Sequence, residues 1–198
     1  MPLCPCRDDA RRRRQVAVAY GRAVPDEIEI RPAAESEHEV VGAATASAFR
    51  EFWKADSPGW DAYLARIADV GSRAGQAIVL VALDRGVVAG SVSLELDARI
   101  SPGPSEPLAP AEAHVRMLGV SPAFRGRGIA RRLMLACIDM ARRHGKRVMT
   151  LDTDPLMTAA RQLYTELGFE PTGTEQRPGG PLLLSYRLDL ESDSSATR

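Results

Sequence analysis

The sequence is poor in cysteine, lysine and aromatic residues, and each shortage narrows what the chain does. Its 198 residues include three cysteines, Cys4, Cys6 and Cys137. One residue separates Cys4 from Cys6, and no second Cys/His pair supplies the other half of a zinc site. No metal centre is expected, and a reduced, cytoplasmic setting is the simpler reading. Lysine and arginine together number 26, yet only Lys54 and Lys146 are lysines. This bias reads as genomic composition before it reads as function. The 26 acidic residues bring the formal net charge to zero. A general attraction to nucleic acid or to a membrane surface is therefore not indicated. Aromatic residues make up 5%, and no basic surface interleaved with aromatics offers itself to nucleic acid. No apolar run approaches the length of a membrane span. "VAVAY" near the start is too short for the apolar core of a secretory signal.

What is present is an ordinary globular balance, 44% apolar and 26% charged, in a chain long enough for one domain with a sizeable core. Residues 1–26 carry the run Arg11–Arg14 and little periodic apolar pattern, and they read as a flexible arm. Residues 191–198 read as a polar tail. Between them, residues 27–190 alternate strand and helix patterns. "EIEIRPA" is a short strand stopped by Pro32. Residues 35–53 form a helix with an alanine-rich face, and a second helix runs from about Trp60 to Val70 and stops at Gly71. "QAIVLVALDRGVVAGSVSLELD" is a hairpin turning at Asp84-Arg85-Gly86. Residues 98–110, with four prolines and a glycine, are a surface loop. "AEAHVRMLGV" is a strand, 128–144 a helix, "KRVMTLDT" a strand, 155–167 a helix and "PLLLSYRLDL" a final strand. The pattern predicts a mixed sheet with helices on its faces, an α/β or α+β single domain.

The strand–turn–helix unit from His114 to His144 carries the strongest chemical signal. Its strand ends at Ser121-Pro122, and the turn "AFRGRG" follows. Ile129, Leu133, Ala136, Cys137 and Met140 then mark one helix face. The glycines thus sit at a helix N-terminus, where the first amides lack intrahelical partners and the macrodipole is positive. Gly126 and Gly128 remove side chains that would keep a phosphate from the backbone, and Arg125 and Arg127 add charge. The unit has the physics of a pyrophosphate cradle; the alternative is a tight turn with exposed arginines. No Gly-Lys-Ser/Thr ends it, so it is not a nucleotide-triphosphate loop. The third glycine and the acidic strand end of a dinucleotide fingerprint are also missing.

"RGRGIA" has the form Arg/Gln-x-x-Gly-x-Gly/Ala through Arg125, Gly128 and Ala130, and it follows "LGV". Downstream lies "LDTDPLMTAARQLYTELGFEPTG", with a Leu-Tyr-x-x-x-Gly-Phe ending. In these motifs the chain resembles the GNAT superfamily of acyl-CoA-dependent N-acetyltransferases over about residues 27–190. The resemblance implies acetyl-CoA as cosubstrate and a sheet splayed into a V. Backbone groups of Leu118, Gly119 and Val120 would pair with the pantetheine arm. Amides of Arg125, Gly126, Arg127, Gly128, Ile129 and Ala130 would take the pyrophosphate. Arg131 and Arg132 either reach nucleotide phosphates or form a solvated helix face. Homodimers are common in the family.

In the downstream helix, Asp154 suits the N-cap and Pro155 the first helical position. Tyr164 falls on its apolar stripe with Ala160, Leu163 and Leu167. A core aromatic is one reading; the resemblance makes Tyr164 the general acid that protonates the departing thiolate. Amine acetylation also needs a proton acceptor, because an alkylammonium is protonated at neutral pH. Where several family members carry a glutamate on the strand before the cradle, this chain has His114, whose ordinary pKa suits the task. Strand alternation places Glu112, His114, Arg116 and Leu118 on one face, so Glu112 is a second candidate base or an orienting partner. A histidine resting on the sheet with a hydrogen-bond partner is the alternative. His38 lies in an exposed helix start, His144 in a helix's last turn, and Cys137 on a core stripe.

Acceptor specificity is expected from segments 45–70, 98–110 and 172–181. Phe49, Phe52, Trp53, Trp60 and Tyr63, with Glu51, Asp56 and Asp61, either attract an amine or simply pack two helices. The sequence thus implies direct acetyl transfer to a primary amine of a small molecule, peptide or protein. A non-catalytic acyl-CoA-binding regulatory module of the same fold is the alternative. Neither a nucleic-acid nor a membrane partner is expected.

Overall fold

In a computed structural model of the chain, residues 28–52, 59–97, 108–176 and 182–191 are described. The expected N-terminal arm, Trp53, Asp56, most of the 98–110 loop and most of the polar tail lie outside them. Seven strands form one sheet, β1 (Ile28–Pro32), β2 (Ile78–Asp84), β3 (Val87–Glu95), β4 (Glu112–Val120), β5 (Val148–Thr153), β6 (Glu170–Gln176) and β7 (Leu182–Asp189), in the order β1-β2-β3-β4-β5-β7-β6. Only the β4–β5 pair is parallel; the others are antiparallel. A parallel pair needs a long crossover, and the helix α4 (Ile129–Arg143) supplies it.

Strand β2 reads as a near-continuous apolar run because both its faces are covered. One face carries α4, whose stripe of Ile129, Leu133, Met134, Cys137 and Ala141 packs on Leu80, Val92, Leu94, Ala113, Val115, Met149 and Leu151 in the main core. The other face carries α1 (His38–Phe49), α2 (Trp60–Ala68) and α3 (Val70–Ala74) over two smaller apolar clusters. These helices cover only the β1–β4 half. A polar group, Glu95, Glu112, His114, Thr150, Asp152 and Ser185, lies across β3, β4, β5 and β7, with Glu95 and His114 buried.

Three sequence expectations need correction. The second helix does not stop at Gly71. It breaks at Asp69, whose carboxylate accepts from the Ser72 amide at 3.0 Å and caps α3, which runs on to Ala74. The helix α5 (Thr158–Glu166) begins at Thr158, after the expected Pro155 start. Asp154 accepts instead from the Leu156 amide at 2.8 Å and closes a turn ahead of the helix. Strand β6 carries no apolar alternation and was not expected. It is an edge strand with exposed residues 170–174, and its pairing shifts register between Pro171 and Gly173, a bulge that admits proline and glycine.

Leu133 is fully buried between α4 and the sheet. Leu133→Ala should lower unfolding free energy by about 2–5 kcal/mol, read from denaturant midpoints at unchanged slope. A loss below ~1 kcal/mol would mean that the main core collapses around the gap.

Candidate active site

The site begins where β4 and β5 part. Their parallel pairing runs from Glu112–Val148 to Val115–Leu151 and ends there, although β4 continues to Val120 and β5 to Thr153. From Arg116 onward, among the described residues, β4 keeps only β3 as neighbour, and the edge toward β5 opens as the arm of a V. On the β3 side, Arg116 pairs with Ser93 and Gly119 with Ser91, so two residues of β4 face one of β3. This is a β-bulge, and Met117 in it has φ of 54°, a strained conformation for a side chain of that size. The bulge reverses the alternation. Leu118 and Val120 join the core on the α4 side, while Met117 packs with Phe49 and Ile67 on the α1 side. Leu118 therefore does not share a face with His114, contrary to simple period-two counting. Gly119 lies against α1, where a Cβ would come within 3.2–3.4 Å of Ala48, Phe49 and Thr45.

The arm of the V leads into the glycine turn. Gly126 and Gly128 have φ of 74° and 71°, and a Cβ built on either meets no atom within 4 Å. The left-handed backbone favours glycine there, and the space over the turn is open. Gly128 is the N-cap of α4, and the first ladder bond runs from the Arg132 amide to the Gly128 carbonyl at 3.0 Å. The amides of Ile129 and Ala130 thus precede the ladder and point out of the helix end. The Arg125 amide is drawn back toward the Pro122 carbonyl at 3.4 Å, which sets it apart from the five amides that follow.

The arginines of the motif serve as braces. Arg127 grips Asp84 with both guanidinium nitrogens, at 2.6 and 2.9 Å. Arg125 donates to Glu51 at 2.6 Å, to the Val120 carbonyl at 3.2 Å and to the Ala48 carbonyl at 3.3 Å. Arg131 lies 3.6 Å from Glu166, and Arg132 donates to the Ile28 carbonyl at 2.8 Å. The turn is thereby tied to β1, β2, the end of β4, α1 and α5.

Below the fork stands His114, 3% exposed. Its Nδ1 is 2.9 Å from Thr150 Oγ1, and its Nε2 is 4.0 Å from Asp152 Oδ2. Thr150 donates to Glu112 Oε1 at 2.7 Å, and Ser185 donates to Asp152 Oδ1 at 2.7 Å. Glu112 also accepts from the Ala109 amide at 3.3 Å. The structure thus joins His114 and Glu112 through Thr150, not directly. Burial pushes the His114 pKa below its ordinary value, against the opposing pull of Asp152 and Glu95. The imidazole is neutral at pH 7, as a proton acceptor must be. Glu95, register partner of His114, is buried and salt-bridged to Arg116 at 2.9 Å.

Tyr164 lies on α5, buried against Phe169 and Tyr186 with ring centroids 5.9 and 6.0 Å away. Burial, and secondarily Tyr186, raise its pKa, so the phenol keeps its proton. Phe49, Trp60 and Tyr63 pack on one another at 5.3–6.3 Å, and Arg66 covers the Tyr63 ring. Here the packing reading holds. Cys137 is fully buried, and burial pushes its thiol up to about 12. His144 ends α4 with Nδ1 2.8 Å from the Met140 carbonyl.

Thr150, Asp152, Ser185 and Asp84 were not singled out from sequence. Alternation in "KRVMTLDT" puts Thr150 and Asp152 on one face, but only the β4–β5 register, His114 opposite Thr150, brings them to the histidine. Among the described residues, no group of His, Cys, Asp and Glu suits a metal ion, and no helix is long and apolar enough to cross a membrane.

Asp84 is buried, and the Arg127 fork lowers its pKa. A lowered carboxyl pKa stabilises the fold above the unfolded value, and that stability disappears as pH falls through the folded value. Arg127→Met should therefore reduce the melting temperature at pH 7, with the deficit shrinking below about pH 4. A deficit independent of pH would assign the effect to packing.

The comparisons with known proteins bear on this geometry. The model of the acetyltransferase (GNAT) family matches residues 48–169. The chain is 41% identical over 68 residues to the N-alpha-acetyltransferase RimI of Mycobacterium tuberculosis, covering 34% of this chain and 41% of that protein. It is 39% identical over 71 residues to the L-methionine sulfoximine/L-methionine sulfone acetyltransferase of Salmonella typhimurium, covering 36% and 40%. Each alignment thus spans about two fifths of the relative's length. Among solved structures, yncA from Salmonella typhimurium, determined with its cofactor acetyl-CoA, superposes with a TM-score of 0.59 at 24% identity, covering 86% of this chain and 98% of that one. A match across more than half the chain, on a sheet that forks directly ahead of the glycine turn, makes this protein a member of the acetyltransferase (GNAT) family.

Proposed function

We propose that the protein transfers the acetyl group of acetyl-CoA directly to a primary amine of a small molecule or a peptide. The observation that carries this reading is the parting of β4 from β5 after Val115 and Leu151, immediately ahead of the open glycine turn. Acetyl-CoA in a structural neighbour supports the cosubstrate, and the names of the two sequence relatives support acetyl transfer.

The residues fit such a ligand. The edge of β4 that β5 leaves at Leu118, Gly119 and Val120 offers main-chain groups to an extended amide-bearing arm. The amides from Gly126 to Ala130 offer donors to a pyrophosphate, and the start of α4 adds a positive dipole. When bound, acetyl-CoA supplies an acetyl group activated as a thioester. His114, neutral and just below the fork, accepts a proton from the acceptor's ammonium, directly or through water, and so frees the nucleophilic lone pair. Glu112 is the weaker candidate base, because both its oxygens are engaged and it lies three residues below the last β4–β5 pair. Tyr164, held protonated by burial, donates to the leaving sulfur. The carboxylates Glu112 and Asp152 beside His114 favour a cationic acceptor, while the charge of Glu95 is met by Arg116.

The test is calorimetric titration with acetyl-CoA of the wild type, Gly128→Asn and Gly128→Asp. Both side chains tolerate the left-handed backbone, so their difference isolates charge. The wild type should bind, Gly128→Asn should bind more weakly, and Gly128→Asp should lose at least a further ~10-fold from one repelling charge. A well-folded wild type that does not bind sinks the proposal.

Tyr164→Phe should lower turnover about 10²–10⁴-fold, the scale of general acid catalysis, with the dissociation constant for acetyl-CoA unchanged. Undiminished turnover would return Tyr164 to a packing role.

A further inference from the structure

Four polar side chains around the fork are chained in an order that fixes where protons sit. Thr150 Oγ1 has one proton and two lone pairs. Two acceptors compete for that proton, Glu112 Oε1 at 2.7 Å and the Ala113 carbonyl at 3.4 Å. The shorter contact to a carboxylate wins. Having given its proton to Glu112, the oxygen can only accept from the third neighbour, His114 Nδ1 at 2.9 Å. An ionised Glu112 has no proton to return, so the direction does not reverse. Nδ1 must then carry the ring proton, and Nε2 of the neutral ring is left with its lone pair, 4.0 Å from Asp152 Oδ2. The other charged groups about this ring are Glu95 on β3 and Arg116 on β4, paired with each other. Asp152 is itself oriented by Ser185 of β7.

We propose that Thr150 is a positioning residue for His114, holding its imidazole in the Nδ1–H tautomer so that Nε2 is the basic atom and Asp152 is the counter-charge for the proton it accepts. The role in catalysis rests on the acetyl-transfer reading; the tautomer does not. A threonine relaying a carboxylate's preference to a histidine on the neighbouring parallel strand needs the observed register, His114 opposite Thr150 and Glu112 opposite Val148. The low exposure of the ring keeps water from competing for Nδ1.

The experiment uses the full chain without substrate. Long-range proton–nitrogen NMR correlation of uniformly ¹⁵N-labelled protein reads the protonation of each ring nitrogen. The chain has only three histidines, and His114→Gln identifies the signal. At pH 7.5 the wild type should show His114 protonated at Nδ1 and bare at Nε2. Thr150→Ser should keep this pattern, and Thr150→Val, of similar shape, should lose it. In turnover assays Thr150→Val should lower kcat about tenfold, the population shift one neutral hydrogen bond supports, leave KM for acetyl-CoA unchanged and move the rising limb of the pH profile; Thr150→Ser should restore all three. A wild-type ring protonated at Nε2 or at both nitrogens overturns the proposal, whether or not Thr150→Val folds. So does a Thr150→Val ring that stays protonated at Nδ1 alone. If acetyl-CoA does not bind, the enzymatic reading fails while the tautomer result stands.

Discussion

Between Arg116 and Val120, among the described residues, strand β4 has a hydrogen-bonded neighbour on one side only, and the candidate site is arranged around that open edge. A strand in the middle of a sheet normally satisfies its main chain on both sides. Here the parallel partner leaves after four residue pairs. Under the proposed function, an extended ligand laid along this edge would restore the pairing. The bulge at Met117 works with the fork. It inserts one residue against β3, twists the outgoing half of β4, and sends Leu118 and Val120 into the α4 core. The alternation that holds up to Arg116 is thus reversed from Leu118 onward.

The helices divide the remaining work. Helix α4 turns the chain back under the sheet, and its first amides face the same opening that the fork creates. Helix α1 lies against Gly119 and holds the outer face of β4, with Thr45 hydrogen-bonded to Ser91 and the Ala48 carbonyl to Arg125. Helix α5 brings Tyr164 into the main core against Phe169 and Tyr186. The polar side chains of "HVR", "TLD" and "SYR" lie together on the sheet, His114 buried among them.

Much of this was legible in the sequence for definite physical reasons. The glycine turn declared itself because only two glycines between a strand and an apolar-striped helix give a left-handed N-cap with open space above it. Tyr164 was marked by the resemblance of "LYTELGF" to the family's Leu-Tyr-x-x-x-Gly-Phe ending. What stayed hidden depended on pairing. Period-two counting cannot see a bulge, so Leu118 was assigned to the wrong face. Strand β6 lacks an apolar stripe because it is an edge, and its Pro171 and Gly173 resemble a loop. Pro155 announced a helix that starts only at Thr158, since Asp154 spent its side chain on a turn. Thr150 and Asp152 were unremarkable until the β4–β5 register set them beside His114.

The braced arginines have a consequence for how the cradle meets an anion. Arg125, Arg127 and Arg131 each face a carboxylate, so the basic motif has little long-range field of its own. What remains is the dipole of the α4 terminus and a row of amides, whose influence fades within about a turn of helix. Capture of a phosphate would then be a contact event with weak dependence on ionic strength, unlike the steered association of exposed cationic clefts. The arginines' role is mechanical: their contacts tie the turn to the strands and helices around it.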